Sequence, residues 1–295
     1  MKVFLASIAA GLILLGTPRL FAAGLTYVGP SEQTVAESLS KHSARSALNI
    51  NMEGPSQVVY ILGGASASGL YGAFYRTDVG ITAPGVSESG LVHFTLYVLP
   101  ANTEGNGALY GHSYTLPPGG FGILKDVVGN AGVSGAATIV LIVNTSTSTA
   151  SSAYQYLSAW GRTYTAAPTG GQFSTTLAVT SGYTLTTADF VVATGIQQDS
   201  SRRTNVSAFN HGTTSDVTLR YFIFDATGAN IGSQDVTIPP MSSVQIALSA
   251  FSVGDPGGTM RAGIVSSTGT ATVYAVTVDN ATNDGDVRLL TYSFY

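Results

Sequence analysis

Not one of the 295 residues is a cysteine. That absence excludes disulfides, thiolate catalysis, cysteine-ligated metals and a lipidated cysteine at an export cleavage site. Charge is nearly as scarce: Asp, Glu, Lys and Arg make up 9% of the chain, against roughly 25% in an average soluble domain. Gly, Ser and Thr take their place, which suits an uncharged polar β surface better than a helical cytosolic enzyme. The four histidines, His42, His93, His112 and His211, fit no zinc-ligand spacing, and no His-Glu-x-x-His stretch occurs. A nucleophile elbow is missing too, since Gly64-Ala65-Ser66-Ala67-Ser68 ends on serine where glycine is required. The sequence designates no catalytic residue and no cofactor, and the chain is expected not to be an enzyme.

Beyond the N-terminus no apolar run approaches the ~20 residues of a membrane span. The N-terminus itself reads as a signal peptide over residues 1–23. Lys2 supplies the positive start, Val3–Gly16 the apolar stretch, and Ala22-Ala23 the small residues for cleavage. The mature protein is expected to be secreted or otherwise extracytoplasmic, with no membrane span. Without Lys2 and Arg19 it carries 10 basic and 16 acidic residues, a formal charge of −6. Nucleic acid and anionic membrane both want a basic face, so neither is an expected partner.

What the chain does contain, it contains twice. Arg76-Thr77-Asp78-Val79 returns as Arg203-Thr204-Asn205-Val206, 127 positions later, and Thr115-Leu116-Pro117-Pro118 returns as Thr237-Ile238-Pro239-Pro240, 122 positions later. Two similar offsets point to a duplicated domain, and the period is too long for a solenoid. Within each copy the apolar period is two. His93–Val98, Thr138–Val143, Val217–Phe224 and Thr270–Val278 are rich in β-branched and aromatic residues. Asp225–Asn230 in one copy and Glu104–Gly107 in the other carry hairpin chemistry, and the Pro-Pro pairs mark strand corners. The reading is all-β: two tandem antiparallel domains, each a sandwich or a barrel with the Pro-Pro corners favouring a β-sandwich, repeat 1 at 57–165 and repeat 2 at 188–295. A lead-in at 24–56 includes a helix-like stretch, Glu32–Leu48, whose poor apolar spacing fits an irregular segment or an extra edge strand. The segment 166–187 holds Gly170-Gly171, which reads as a hinge, and alternating Phe173, Leu177 and Val179, which read as a strand.

These matched pieces resemble a tandem immunoglobulin-like module of exported bacterial proteins, also found appended to secreted peptidases. The resemblance rests on Gly72–Val79, Tyr114–Gly120, Arg162-Thr163-Tyr164 and Gly170–Phe173. In the second copy it rests on Arg203–Val206, Asp225–Gly232, Thr237–Pro240 and Tyr274–Asn280. It implies immunoglobulin-like sandwiches with an accessory or surface role and brings no catalytic residues. No peptidase segment adjoins the modules here, so such a role would be played in trans or alone.

Three residue groups compete for a functional role. Arg76 and Arg203 stand at equivalent positions and either could grip a carboxylate ligand, or simply pair with a neighbouring acid or cap loop carbonyls. The densest acidic cluster offers Asp279, Asn280, Asp284 and Asp286 as oxygen ligands for a hard cation, yet it fails the EF-hand template and reads equally as an Asx-rich turn. Tyr154, Tyr156, Trp160 and Tyr164 lie at even spacing and share one face of an extended strand. They either stack on sugar rings or fill a core or interface. The expected function is a surface, adhesion, matrix or accessory binding role toward a protein or glycan outside the cell. A carbohydrate-binding accessory protein is the alternative, and a hydrolase with an unrecognised site the third. An outer-membrane barrel is disfavoured, because stepping back by two from Tyr295 gives Ser293 and Thr291, which do not suit a lipid face.

Overall fold

The period of two expected over Thr138–Val143 does not hold, since Ile139–Val143 is an unbroken apolar run buried at every position, and the fold explains it. The computed structural model describes residues 25–30, 58–69, 72–84, 90–103, 105, 111–144, 148–150, 156–167, 170–182, 185–187, 189–253, 257–266 and 268–292. The signal-peptide reading and the helix-like stretch at 32–48 lie outside them. The strands of the first half are β1 (Thr26–Pro30), β2 (Val58–Ser68), β3 (Phe74–Thr82), β4 (Val92–Pro100), β5 (His112–Leu116) and β6 (Phe121–Leu124). A one-turn helix α1 (Val127–Asn130) follows, then β7 (Gly135–Val143), β8 (Ser158–Ala166), β9 (Gln172–Thr176) and β10 (Ala178–Thr180). The second half has β11 (Leu185–Thr186), β12 (Phe190–Ile196), β13 (Arg202–Asn210), β14 (Val217–Phe224), β15 (Asn230–Ile238) and β16 (Ser243–Ala247). A 3-10 turn (Leu248–Phe251) precedes β17 (Gly258–Ile264), β18 (Thr270–Asp279), β19 (Gly285–Leu289) and β20 (Thr291–Tyr292). Among the described residues no helix is long and apolar enough to cross a membrane.

The strands form four antiparallel layers. Sheet I is β6-β3-β8-β9 and sheet II is β1-β5-β4-β7-β2-β10. They are joined at one corner, where Ala67 and Ser68 of β2 pair with Tyr75 and Phe74 of β3. Sheet III is β16-β13-β18 with β19 and β11 both on β18, and sheet IV is β15-β14-β17-β12-β20. Val79 and Ile81 of sheet I meet Ile61, Phe94, Leu96 and Leu141 of sheet II. Val206 and Ala208 of sheet III meet Leu219, Tyr221 and Met260 of sheet IV. A third apolar seam lies between the halves. There Tyr60, Leu62, Tyr97, Val140 and Ile142 of sheet II pack on Phe209 and Tyr274 of sheet III. Sheet II is thus covered on both faces, and β7 is buried at every position from Ala137 to Val143. Its neighbour β4 is likewise buried from Phe94 to Val98, whereas the counterpart of β4 in sheet IV, β14, has one face in water and alternates.

The second half repeats the pairing scheme of the first. β2–β7, β2–β10, β4–β5, β4–β7, β3–β6, β3–β8 and β8–β9 recur as β12–β17, β12–β20, β14–β15, β14–β17, β13–β16, β13–β18 and β18–β19. A side-chain device recurs with it. The Thr77 hydroxyl accepts the Ala65 N–H (2.8 Å), donates to the Ala65 carbonyl (2.9 Å) and lies 3.0 Å from the Thr163 hydroxyl. The Thr204 hydroxyl accepts the Gln197 N–H (3.2 Å), donates to its carbonyl (2.7 Å) and lies 3.1 Å from the Thr277 hydroxyl. Arg76 and Arg203 each immediately precede these threonines, so the structure sets them in equivalent places.

Segment 166–187 is woven into both halves: β9 pairs with β8, β10 with β2, and β11 with β18. Gly170 and Gly171, at φ +88° and +89°, form the tight β8–β9 turn rather than a hinge. The loop after β4 also reaches across, with Asn102 N–H donating to the Ser243 carbonyl and Gly105 N–H to that of Pro240. The second Pro-Pro corner thereby sets the fully buried Met241 into the seam. Limited proteolysis is accordingly expected to spare residues 169–187 under native conditions. Early cleavage there, releasing two stable halves, would contradict this docking.

Candidate functional site

Antiparallel pairing of β3 with β8 puts Gly80 opposite Trp160, Asp78 opposite Arg162, and Arg76 opposite Tyr164. Because side chains alternate, these residues share the face of sheet I that looks away from the core. Trp160 is 37% exposed and Phe74, at the start of β3, is 41% exposed. The indole packs against Gly80: a Cβ there would overlap Nε1 and Cε2 of the ring and lie 2.7 Å from Cζ2. Glycine is what allows this close approach.

A buried carboxylate organises the rest. Asp78, with no exposed side-chain surface, accepts from Lys125 Nζ (2.8 Å), Arg162 Nη2 (3.0 Å) and the Asp126 N–H (3.1 Å). Burial pushes its carboxyl up, but the Lys125, Asp126 and Arg162 hydrogen bonds outweigh that and hold it below the ordinary value. Arg162 is thus fixed between the two aromatics of β8, its guanidinium 4.9 Å from the Tyr164 ring centre. Arg76 lies 5.1 Å from the Phe74 ring centre and 3.5 Å from Asp126. Burial, followed by the charge of Asp78, pushes the Tyr164 phenol up, so it remains a neutral donor. The result is a rigid outer surface of flat rings interleaved with cationic donors.

Of the aromatic row, Trp160 and Tyr164 do share an outer strand face. Tyr156 precedes β8, and Tyr154 lies outside the described residues. Sequence reasoning missed Phe74, Asp78, Gly80 and Arg162. Arg162 carried a usable signal, since it lies between Trp160 and Tyr164 on the same period of two. The β3 residues join them only through strand pairing 80 or more positions away.

The acidic hairpin β18–β19 is organised differently from a cation cage. Asp279 Oδ1 accepts the Ala281 and Thr282 N–H groups (2.8 and 2.9 Å), and the Thr282 and Ala281 bonds hold its carboxyl below the ordinary value. Asn280 Oδ1 accepts from Arg203, Asp284 Oδ1 accepts the Ser174 N–H, and Asp286 pairs with Arg288. The four side chains thus serve separate turn and interlayer contacts. Among the described residues no three His, Asp or Glu side chains converge as metal ligands would.

No family model matches the chain, and no curated protein matches it. Among solved structures, a lectin from Pleurotus ostreatus in complex with GalNAc aligns over 92% of this chain and 86% of its own, at 12% identity and a TM-score of 0.17. A score so low carries no argument for fold or function.

Proposed function

We propose that the chain is a non-enzymatic, extracytoplasmic binding protein of two immunoglobulin-like sandwiches, with carbohydrate taken on the outer face of sheet I. The repeated pairing scheme and the repeated threonine bridges support descent of both halves from one module. Two antiparallel sheets per half support the immunoglobulin-like reading. The observation that carries the ligand class is Trp160. It is the one tryptophan of the chain, and it packs closely against Gly80 while keeping 37% of its surface exposed. A sugar's apolar ring face stacks on an exposed indole, while the remaining N–H groups of Arg162 and Lys125 offer donors to its hydroxyl groups.

The test uses that same residue. As the sole tryptophan, Trp160 reports binding directly through its emission during titration with an oligosaccharide panel. A saturable shift is expected, with affinity lowered at least about tenfold, or about 1.4 kcal/mol, by Trp160→Ala when followed calorimetrically. Gly80→Val, which lifts the indole without removing it, is expected to weaken binding as well. No response across a broad panel, or undiminished binding by Trp160→Ala, would refute the reading.

A further inference from the structure

The seam between sheets II and III is not filled along its whole length. In the first part of β2, Tyr60 and Leu62 project large side chains onto Phe209 and Tyr274. The strand then runs into Gly63, Ala65, Ala67 and Ser68, and these small residues cannot reach across. A half-enclosed cleft of about 420 Å³ remains between the two halves. Its walls include the apolar Ala67, Leu177 and Val278, with the amides of Asn205 and Gln245 beside them.

Arg203 enters this cleft from β13. Its guanidinium is held by neutral acceptors: Asn280 Oδ1 at 2.6 Å, Asn283 Oδ1 at 3.3 Å and the Tyr75 hydroxyl at 3.3 Å. Its equivalent in the first half, Arg76, faces the carboxylate of Asp126. Asp279 and Asp284, acids of the same hairpin as its asparagine partners, are engaged with turn and strand N–H groups. Among the described residues lining the cleft, none carries a negative charge, and Arg203 is the one cation. A single oriented positive charge in a partly desolvated, otherwise neutral and apolar cavity favours an anion with an apolar body. The planar guanidinium further favours a carboxylate, which it can engage through two parallel bonds.

We propose that this cleft binds a small carboxylic acid, its carboxylate on Arg203 and its hydrocarbon part against Ala67, Leu177 and Val278. The site is separate from the Trp160 face and does not depend on it.

The test is calorimetric titration of the full chain with hexanoate and benzoate. Hexanamide and benzamide serve as uncharged matches, and acetate and sulfate as anions without an apolar body. At least one of the two acids is expected to bind saturably, and its amide and the small anions at least about tenfold more weakly. Arg203→Met is expected to abolish binding. Arg203→Lys, which keeps the charge and guards against a folding defect, is expected to weaken it at least about tenfold because the fork geometry is lost. Arg76→Met and Trp160→Ala are expected to leave it unchanged, so failure here is distinguishable from failure of the saccharide face. Equal response to acid and amide, equal response to sulfate, undiminished binding by a folded Arg203→Met variant, or no binding of either acid at millimolar concentration would overturn the proposal.

Discussion

Alanine in place of Phe209 is expected to destabilise the whole chain by about 3–5 kcal/mol, the usual range for emptying a large aromatic site in a core. Phe209 lies on β13 yet belongs to neither sandwich interior. It faces the seam, fully buried, with its ring centre 5.4 Å from that of Tyr60 and 4.9 Å from that of His211. Tyr60 belongs to the first half and Phe209 to the second, so the cavity would remove packing from both at once. Urea unfolding of the parent protein is expected to show one cooperative transition, because β10, β11 and the seam tie the halves together. The variant's midpoint should fall by that loss divided by the m-value. A loss under about 1 kcal/mol, or a parent protein that unfolds in two well-separated steps, would show that the seam is not a structural core.

Acid is expected to weaken the same seam, and His211 is the cause. Its ring is packed edge-on against Tyr60, with ring centres 4.5 Å apart, and its Nε2 lies 2.8 Å from the Thr272 hydroxyl. Burial lowers its pKa to about 3, so the folded protein holds it neutral. Burial likewise pushes the nearby Tyr274 phenol up to about 12, and Tyr60 shifts in the same direction, so neither supplies a countercharge. An unfolded chain protonates the imidazole near pH 6.5. The unfolded state therefore binds more protons between that pH and about 3, and stability falls as pH falls through this window. From pH 6.5 to pH 5 the expected loss is roughly 2 kcal/mol, at about 1.4 kcal/mol per unit. Burial also lowers the pKa of His93, which adds a contribution of the same sign. Urea titrations at both pH values should show the loss reduced in His211→Gln, which keeps a polar partner for Thr272 but cannot be protonated. The carboxylates that the fold holds below their ordinary values, Asp78 among them, titrate lower still, so pH 5–6.5 isolates the histidines. Parallel pH dependence in parent and variant would exclude His211 as the source.

Local chemistry is legible in the sequence wherever a residue's own backbone needs decide the outcome. The period of two in Val217–Phe224 produces β14, and the Asp225–Asn230 loop closes its hairpin because Asp225 Oδ1 can accept the Thr227 and Ala229 N–H groups. The all-β character and the matched Arg-Thr positions are readable for the same reason. The evenly spaced Trp160 and Tyr164 are legible as neighbours on one strand face. Alternation assigns residues to two faces, however, and is silent on which face meets water. That depends on the stacking order of four sheets, which covers both sides of sheet II and leaves the Trp160 side of sheet I outside. The Gly170-Gly171 pair shows the same limit, since a flexible dipeptide serves a hinge or a tight turn equally well until its flanking strands are paired.

The two arginines mark the boundary most sharply. In the sequence Arg76 and Arg203 stand at matched positions, each opening an Arg-Thr-x-Val stretch. Their different surroundings were decided only by tertiary structure. Arg76 lies on sheet I beside the Asp126 carboxylate, whereas Arg203 lies on the sheet that the first half covers, among two asparagines and, from the first half, a tyrosine. The physical reason is that the halves stack head to tail. Sheet II of the first half meets sheet III of the second, so similarly paired strands meet different neighbours, and only the docked arrangement places Arg203 in a cleft without a facing carboxylate.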